Sequence, residues 1–302
     1  MHEIELIGLD GSNLLAYLAA LGTLRVLTLA GSGGNVRMSW VDHQGWHPVV
    51  HHNIARKAEE LLAILEKRIC GEESINAAWK IGEDLTLSCS DFGGHMREAA
   101  MAATITRRET VDFLSAFGSD VYGAGSKKEL MSDTEFRTMS GAGHQHFLGF
   151  MTKLAKATNF GHLRRALFQE WDYADDGPSL RWDPADYRPH ALRAVDPSKD
   201  PIKTMRGANR LAIEALPLFP TAPQARRIRT VAFNDGDAGT GITWPIWDDR
   251  LELGTVASLL AASEIQNSAS GDSLRPGIRQ IFRAGRFTDG KYRNFRPAKA
   301  AL

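Results

Sequence analysis

Apolar and polar residues alternate at the start of the chain, where Ile4 and Leu6 are interleaved with Glu3 and Glu5; this period of two predicts a half-buried strand. The turn residues Asp10-Gly11-Ser12-Asn13 follow, and Ser12 or Asn13 can cap a helix. Across residues 14–29 apolar side chains lie nearly all round a helical wheel, which predicts a helix inside the core. Gly31, Gly33 and Gly34 end it, and a strand over 36–41 with a hairpin partner near 48–50 comes next. Ile54, Ala58, Leu61, Leu62 and Leu65 then recur at helical spacing, with Asn53 as the cap and Gly71 as the stop.

The same reading places a short strand over 85–89 and helices over 96–103 and 110–117. Residues 118–143 read as a loop region rich in Gly, Ser and Lys, followed by two helices, 144–157 and 159–171, packed as an antiparallel pair. Residues 172–201 are rich in Pro and Asp and read as a surface excursion, although Leu180, Trp182, Tyr187 and Leu192 still require burial. A short helix from Gly207 to Leu216 is stopped by Pro217 and Pro220. A hairpin pairs 229–233 with 242–247 around Asn234-Asp235-Gly236, a last helix covers 251–265, and the tail alternates basic with apolar residues. Strands and helices mix without a βαβ rhythm, so the expected class is α+β: small mixed sheets, several packed helices and irregular topology. The expected organisation is an N-terminal α+β region over 1–120 and a helical and hairpin region with the basic tail over 121–302, or one continuous domain.

With 43% hydrophobic and 24% charged residues, the 302-residue chain has the composition of a folded globular protein and not of a disordered one. Cys70 and Cys89 are too few for a disulfide framework and lack metal-ligand spacing, so a cytoplasmic protein with buried thiols is expected. The apolar stretch at 14–29 is interrupted by Gly22, Thr23, Arg25 and Thr28, which argues against a membrane span or a signal peptide. Thirty-six Lys and Arg balance thirty-six Asp and Glu, but unevenly. From Arg275 onward Arg275, Arg279, Arg283, Arg286, Lys291, Arg293, Arg296 and Lys299 face the single acid Asp289, so this end carries +7 and residues 1–274 carry −7. That segregation points to an acidic body with an anion-seeking end.

Candidate chemistry divides the same way. His43, His47, His51 and His52 lie close to Asp42, yet a spacing of four along a loop or strand does not aim imidazoles at one metal. His144 and His146 fall about 200° apart on a helix. Asp172, Asp175 and Asp176, and Asp248 with Asp249, sit in turns where aspartate commonly bonds its own backbone. No nucleotide-binding, nucleophile-elbow or zinc-protease motif occurs, so no catalytic residue, metal or cofactor is expected. Two features remain. Gly123-Ala124-Gly125-Ser126-Lys127-Lys128, followed by Arg137 and by Ser140 to His144 before a helix, suits phosphate binding through backbone N–H groups, the Ser140 hydroxyl and the cations, although the residues taken alone favour a flexible loop with a serine cap. In the tail, Phe282, Phe287, Tyr292 and Phe295 alternate with Arg279, Arg283, Arg286, Lys291, Arg293 and Arg296, a combination that holds single-stranded nucleic acid by stacking and charge. An edge strand with one wet basic face, or a docking arm for an acidic protein, has the same pattern. Arg206, Arg210, Arg226, Arg227 and Arg229 could extend the surface.

Several phrases resemble proteins of type I-G (formerly I-U) CRISPR loci: Leu9-Asp10-Gly11-Ser12-Asn13-Leu14 onward to Arg25, Phe113-Leu114-Ser115-Ala116-Phe117-Gly118-Ser119-Asp120, Leu180-Arg181-Trp182-Asp183-Pro184, and Gly207-Ala208-Asn209-Arg210 onward to Pro220. The resemblance implies a non-catalytic subunit of the RNA-guided surveillance complex (Cascade), in the large-subunit position or as a companion of the helicase-nuclease. Its partners would be guide RNA or target DNA, other Cascade subunits and the helicase-nuclease, and its work target recognition, duplex opening and recruitment. The alternatives are a scaffold docking an acidic partner without nucleic-acid contact, or a metal-dependent hydrolase built on His43, His47 and nearby aspartates.

Overall fold

A computed structural model describes residues 1–31, 35–121, 129–140, 146–186, 203–224, 227–236, 239–267, 276–289 and 292–301. The first half holds β1 (His2–Glu5), α1 (Leu14–Ala30), β2 (Arg37–Asp42), β3 (Trp46–His52), α2 (Ala58–Ile69), α3 (Cys89–Ala102), α4 (Glu109–Phe117), β4 (Gly118–Ser119), β5 (Ser132–Asp133), β6 (Met139–Ser140) and α5 (Phe147–Ala157). The second holds α6 (Phe160–Phe168), β7 (Asp175–Asp176), β8 (Lys203–Thr204), α7 (Arg206–Ala215), β9 (Thr221–Gln224), β10 (Arg227–Thr230), β11 (Phe233–Gly236), β12 (Gly239–Trp247), β13 (Leu251–Glu252), α8 (Leu253–Leu260), α9 (Ser263–Gln266), β14 (Ile278–Asp289), β15 (Tyr292–Phe295) and β16 (Lys299–Ala300). The class is α+β. One antiparallel sheet runs β1-β3-β2-β13; a larger one runs β11-β12-β14-β15-β6, with β16 also on β14. Among the described residues no helix is long and apolar enough to cross a membrane.

Helix α1 is the axis of the core, as its all-round apolar pattern predicts: every residue from Leu14 to Leu27 is buried. Asn13 caps it, its side-chain oxygen accepting from Ala16 N at 3.2 Å. Tyr17 joins the two sheets, stacking on Trp40 of β2 at 5.5 Å and lying 5.6 Å from Trp244 of β12. The indole N–H of Trp244 donates to Gly11 O at 2.8 Å and that of Trp247 to Met38 O at 2.9 Å, so both buried donors are satisfied. Helix α7 crosses α1 so closely that a Cβ at Gly22 would stand 1.8 Å from Leu211 O; only glycine permits this contact.

Around that crossing lies an interior ionic group. Glu214 stands 2.8 Å from both Arg25 and Arg210, and all three side chains are at most 10% exposed. Arg210 also donates Nε–H to Ile69 O at 2.7 Å and lies over Trp79, while Arg25 lies over Phe113. Two guanidiniums thus share one carboxylate, with aromatic faces and a carbonyl supplying the remaining stabilisation.

Several expected boundaries move. Helix α2 begins at Ala58, because the Glu60 carboxylate accepts from Arg56 N at 2.7 Å and organises its start in place of Asn53. The strand expected over 85–89 shrinks to a bridge between Ser88 and Leu130, since Ser88 instead caps α3, accepting from Asp91 N at 3.0 Å. Asn234, Asp235 and Gly236 are strand, not turn: β11 pairs them with β12 at Gly241, Thr240 and Gly239. Leu251 and Glu252 pair with Met38 and Arg37 before α8 begins, so the expected helix over 251–265 becomes β13, α8 and α9. Leu180 and Trp182 are buried as required, whereas Tyr187 and Leu192 lie outside the described residues. Cys89 is buried; Cys70 is only partly so, its thiol pushed up to about 11 first by burial.

Candidate nucleic-acid interface

The tail is built into the larger sheet. Strand β14 pairs with β12 from Gly241↔Gly285 to Trp247↔Ile278, and β15 folds back on it with Arg286↔Phe295, Phe287↔Asn294, Thr288↔Arg293 and Asp289↔Tyr292. Strand β15 then pairs with β6 through Tyr292↔Ser140 and Arg293↔Met139. Ser140 is the last described residue before the Gly141-Ala142-Gly143 stretch. Two features 150 positions apart in sequence therefore share one sheet edge. β4 and β5, which flank residues 120–131 in sequence, pair as Gly118↔Asp133 and Ser119↔Ser132, and Asp133 lies 3.9 Å from Arg293. Lys127, Lys128 and Arg226 lie outside the described residues, as do Gly123 to Ser126 and His144. Of Ser140 and Tyr292 the backbone pairing is described.

At this edge three arginines crowd together. Arg137 is 9% exposed and ion-pairs with Asp84 at 2.5 Å and Asp133 at 2.7 Å. Burial opposes its charge, but the carboxylates of Asp133 and Asp84 outweigh it and raise its pKa. Arg286 donates Nη2–H to Arg137 O at 3.0 Å, and its Nε–H is buried without a partner among the described residues. Burial lowers the pKa of Arg286, and the Arg293 charge lowers it further. A half-buried, incompletely satisfied guanidinium repelled by a neighbouring cation is a place where an arriving anion gains most.

The structure reassigns several of the sequence-predicted contacts. Arg210 is an interior member of the Glu214 group, 0% exposed and unable to reach a phosphate. Arg137 is likewise committed to Asp84 and Asp133. Arg283 is a clasp across the β11–β12 hairpin, donating to the Asn234 side chain, Asn234 O at 3.1 Å, Gly239 O at 3.1 Å and Thr243 Oγ1 at 3.0 Å. Arg206 binds Asp176 O at 3.0 Å and the His162 ring at 3.1 Å. Arg227 and Arg229 converge on Asp235, with Arg229 also 3.3 Å from Glu135; Arg279 pairs with Asp248. Two of the four tail aromatics belong to the core: Phe295 is buried 6.1 Å from Phe233, and Phe282 6.0 Å from Trp244. Phe287 is half-buried, with the exposed Arg296 guanidinium 5.8 Å from its ring. What faces solvent at the edge is thus Arg293, on the face of β15 that it shares with Arg286 of β14, and Arg296, beside Phe287 on the opposite face, with Lys299 exposed beyond.

No protein-family model matches the chain, and no curated protein matches it. Among the described residues no three His, Cys, Asp or Glu side chains gather as a metal site. His43 bonds Glu5 at 3.0 Å, His47 bonds Leu9 O at 2.9 Å, Asp175 pairs with Arg165, and Asp176 pairs with Lys203. One constellation escaped the sequence reading altogether: Ser39 Oγ, the His51 ring and the Glu3 carboxylate stand in line across β2, β3 and β1. Only strand register brings them together, and no local motif announces it.

Proposed function

We propose that the chain is a nucleic-acid-binding subunit of an RNA-guided assembly of the type I-G CRISPR kind, contributing contacts and not catalysis to target recognition, duplex opening and recruitment of the helicase-nuclease. The observation that supports this reading is the β15–β6 pairing, which sets Arg293 beside Met139 and so puts the basic tail against the strand that precedes Gly141-Ala142-Gly143 in sequence. In such assemblies base pairing reads sequence while protein supplies backbone charge and shape, a task that needs cations on an edge and no reaction centre. The acidic remainder of the chain, at −7, disfavours indiscriminate binding along a polyanion.

Arg293 and Arg296 then meet phosphates while Arg283 holds the sheet. Binding of a fluorescent single-stranded oligonucleotide, measured by anisotropy across a salt series, tests this. Replacing Arg293 and Arg296 by alanine is expected to weaken binding and to shallow the slope of log K against log salt by about 1.4, two phosphates at about 0.7 each. Absence of binding, or an unchanged affinity and slope, overturns the assignment. The burial of Phe282 and Phe295 favours a second reading, in which the tail is an assembly element docking an acidic protein; failure of the oligonucleotide to bind favours it.

A further inference from the structure

Strand register aligns four ionisable side chains across the smaller sheet: Glu252 faces Arg37, Arg37 faces His51, and His51 faces Glu3. Ser39, two residues along β2 from Arg37, shares their face. The His51 ring is 2.8 Å from Ser39 Oγ through Nε2, while its buried Nδ1 lies 3.3 Å from Glu3 Oε1 without a well-directed hydrogen bond among the described residues. The Glu3 charge beside Nδ1 favours the tautomer with the proton on that nitrogen. Nε2 then presents its lone pair, and the Ser39 hydroxyl donates to it. Glu3 is itself held by Arg250 at 2.6 Å. Arg37 Nε–H is buried and lacks a partner among the described residues, leaving a cationic donor beside the serine. Ser39 and His51 are 6% and 3% exposed, while the Arg250–Glu3 pair near them is half exposed, at 52% and 51%.

We propose that Ser39 is an activated nucleophile, and that the Glu3–His51–Ser39 line makes it an acyl acceptor for small activated esters. Nucleophile, base and carboxylate are in their required order, and Arg37, on the same face of the sheet, is the donor assigned to the developing oxyanion. Ser39 Oγ forms a bond to the ester carbonyl carbon while its proton passes to His51 Nε2. The carbon–alkoxide bond breaks and that proton leaves with the alcohol. Water then attacks the acyl-serine, giving its proton to His51, and the carboxylic acid departs with Ser39 restored. Glu3 is a positioning residue. The inference goes beyond the binding role above and does not depend on it.

Burial, and secondly the Arg250 charge, lower the His51 pKa, with Glu3 opposing; His52, on the opposite face of β3, is lowered too. His51 is therefore neutral and able to accept a proton at neutral pH. The test is covalent labelling of the whole folded protein with a fluorophosphonate, the adduct located by peptide mass spectrometry. The adduct is expected on Ser39, forming faster above pH 6.5 than well below it. Its rate should fall about 10²-fold in His51→Gln, drop in Glu3→Gln with recovery in Glu3→Asp, and rise in Arg250→Ala, which loosens the neighbouring ion pair. No adduct on Ser39 in either the unmodified protein or Arg250→Ala, or a rate indifferent to pH and to His51→Gln, overturns the proposal and leaves the line as a structural hydrogen bond.

Discussion

Arginine carries opposite roles in this chain, and exposure separates them. Arg210 and Arg293 each stand next to an asparagine in the sequence, yet one is fully enclosed beside Glu214 and the other reaches the sheet edge. The distinguishing signal was present: Glu214 lies four residues after Arg210 on one helix face, as Arg137 lies four after Asp133. What sequence does not supply is Arg25, which comes from another helix to share the same carboxylate. Replacing Glu214 by alanine should leave two buried guanidiniums without an anion and destabilise the fold by about 3–5 kcal/mol, seen in urea unfolding. A loss below about 1 kcal/mol would mean that the aromatic faces and the Ile69 carbonyl alone suffice.

Elements were legible where pattern and punctuation agree. Helix α1 follows from its apolar surround and its Asn13 cap, and α6 from Asn159, which forms a capping box with His162. Boundaries failed where a side chain has two uses: Ser88 reads as strand but caps a helix, and Asn234-Asp235-Gly236 reads as a turn but continues a ladder. The tail is the largest case. Its alternation of basic and apolar residues was readable as a strand, but not its place between β12 and β15 with Phe282 and Phe295 in the core. A detachable binding arm could be cut away without harm. This one is a sheet interior, so a chain ending before β14 should lose its cooperative thermal transition, whereas retention of that transition would show the tail to be dispensable.

At the scale of the molecule the uneven charge gains a location. Its +7 end is folded against β6, and much of its charge is absorbed by Asp248, by the carbonyls of the β11–β12 hairpin and by the group around Asp133. A charge count alone therefore overstates the free cations of this end, and it does not show that β15 pairs with β6. The central claim is that this shared edge touches nucleic acid. Ultraviolet crosslinking of the folded protein to a single-stranded oligonucleotide, with peptide mapping of the adducts, tests it most directly. Adducts are expected on peptides containing Phe287, Tyr292 and residues 123–144. Adducts confined to other surfaces, or none at a concentration that saturates binding, would contradict it.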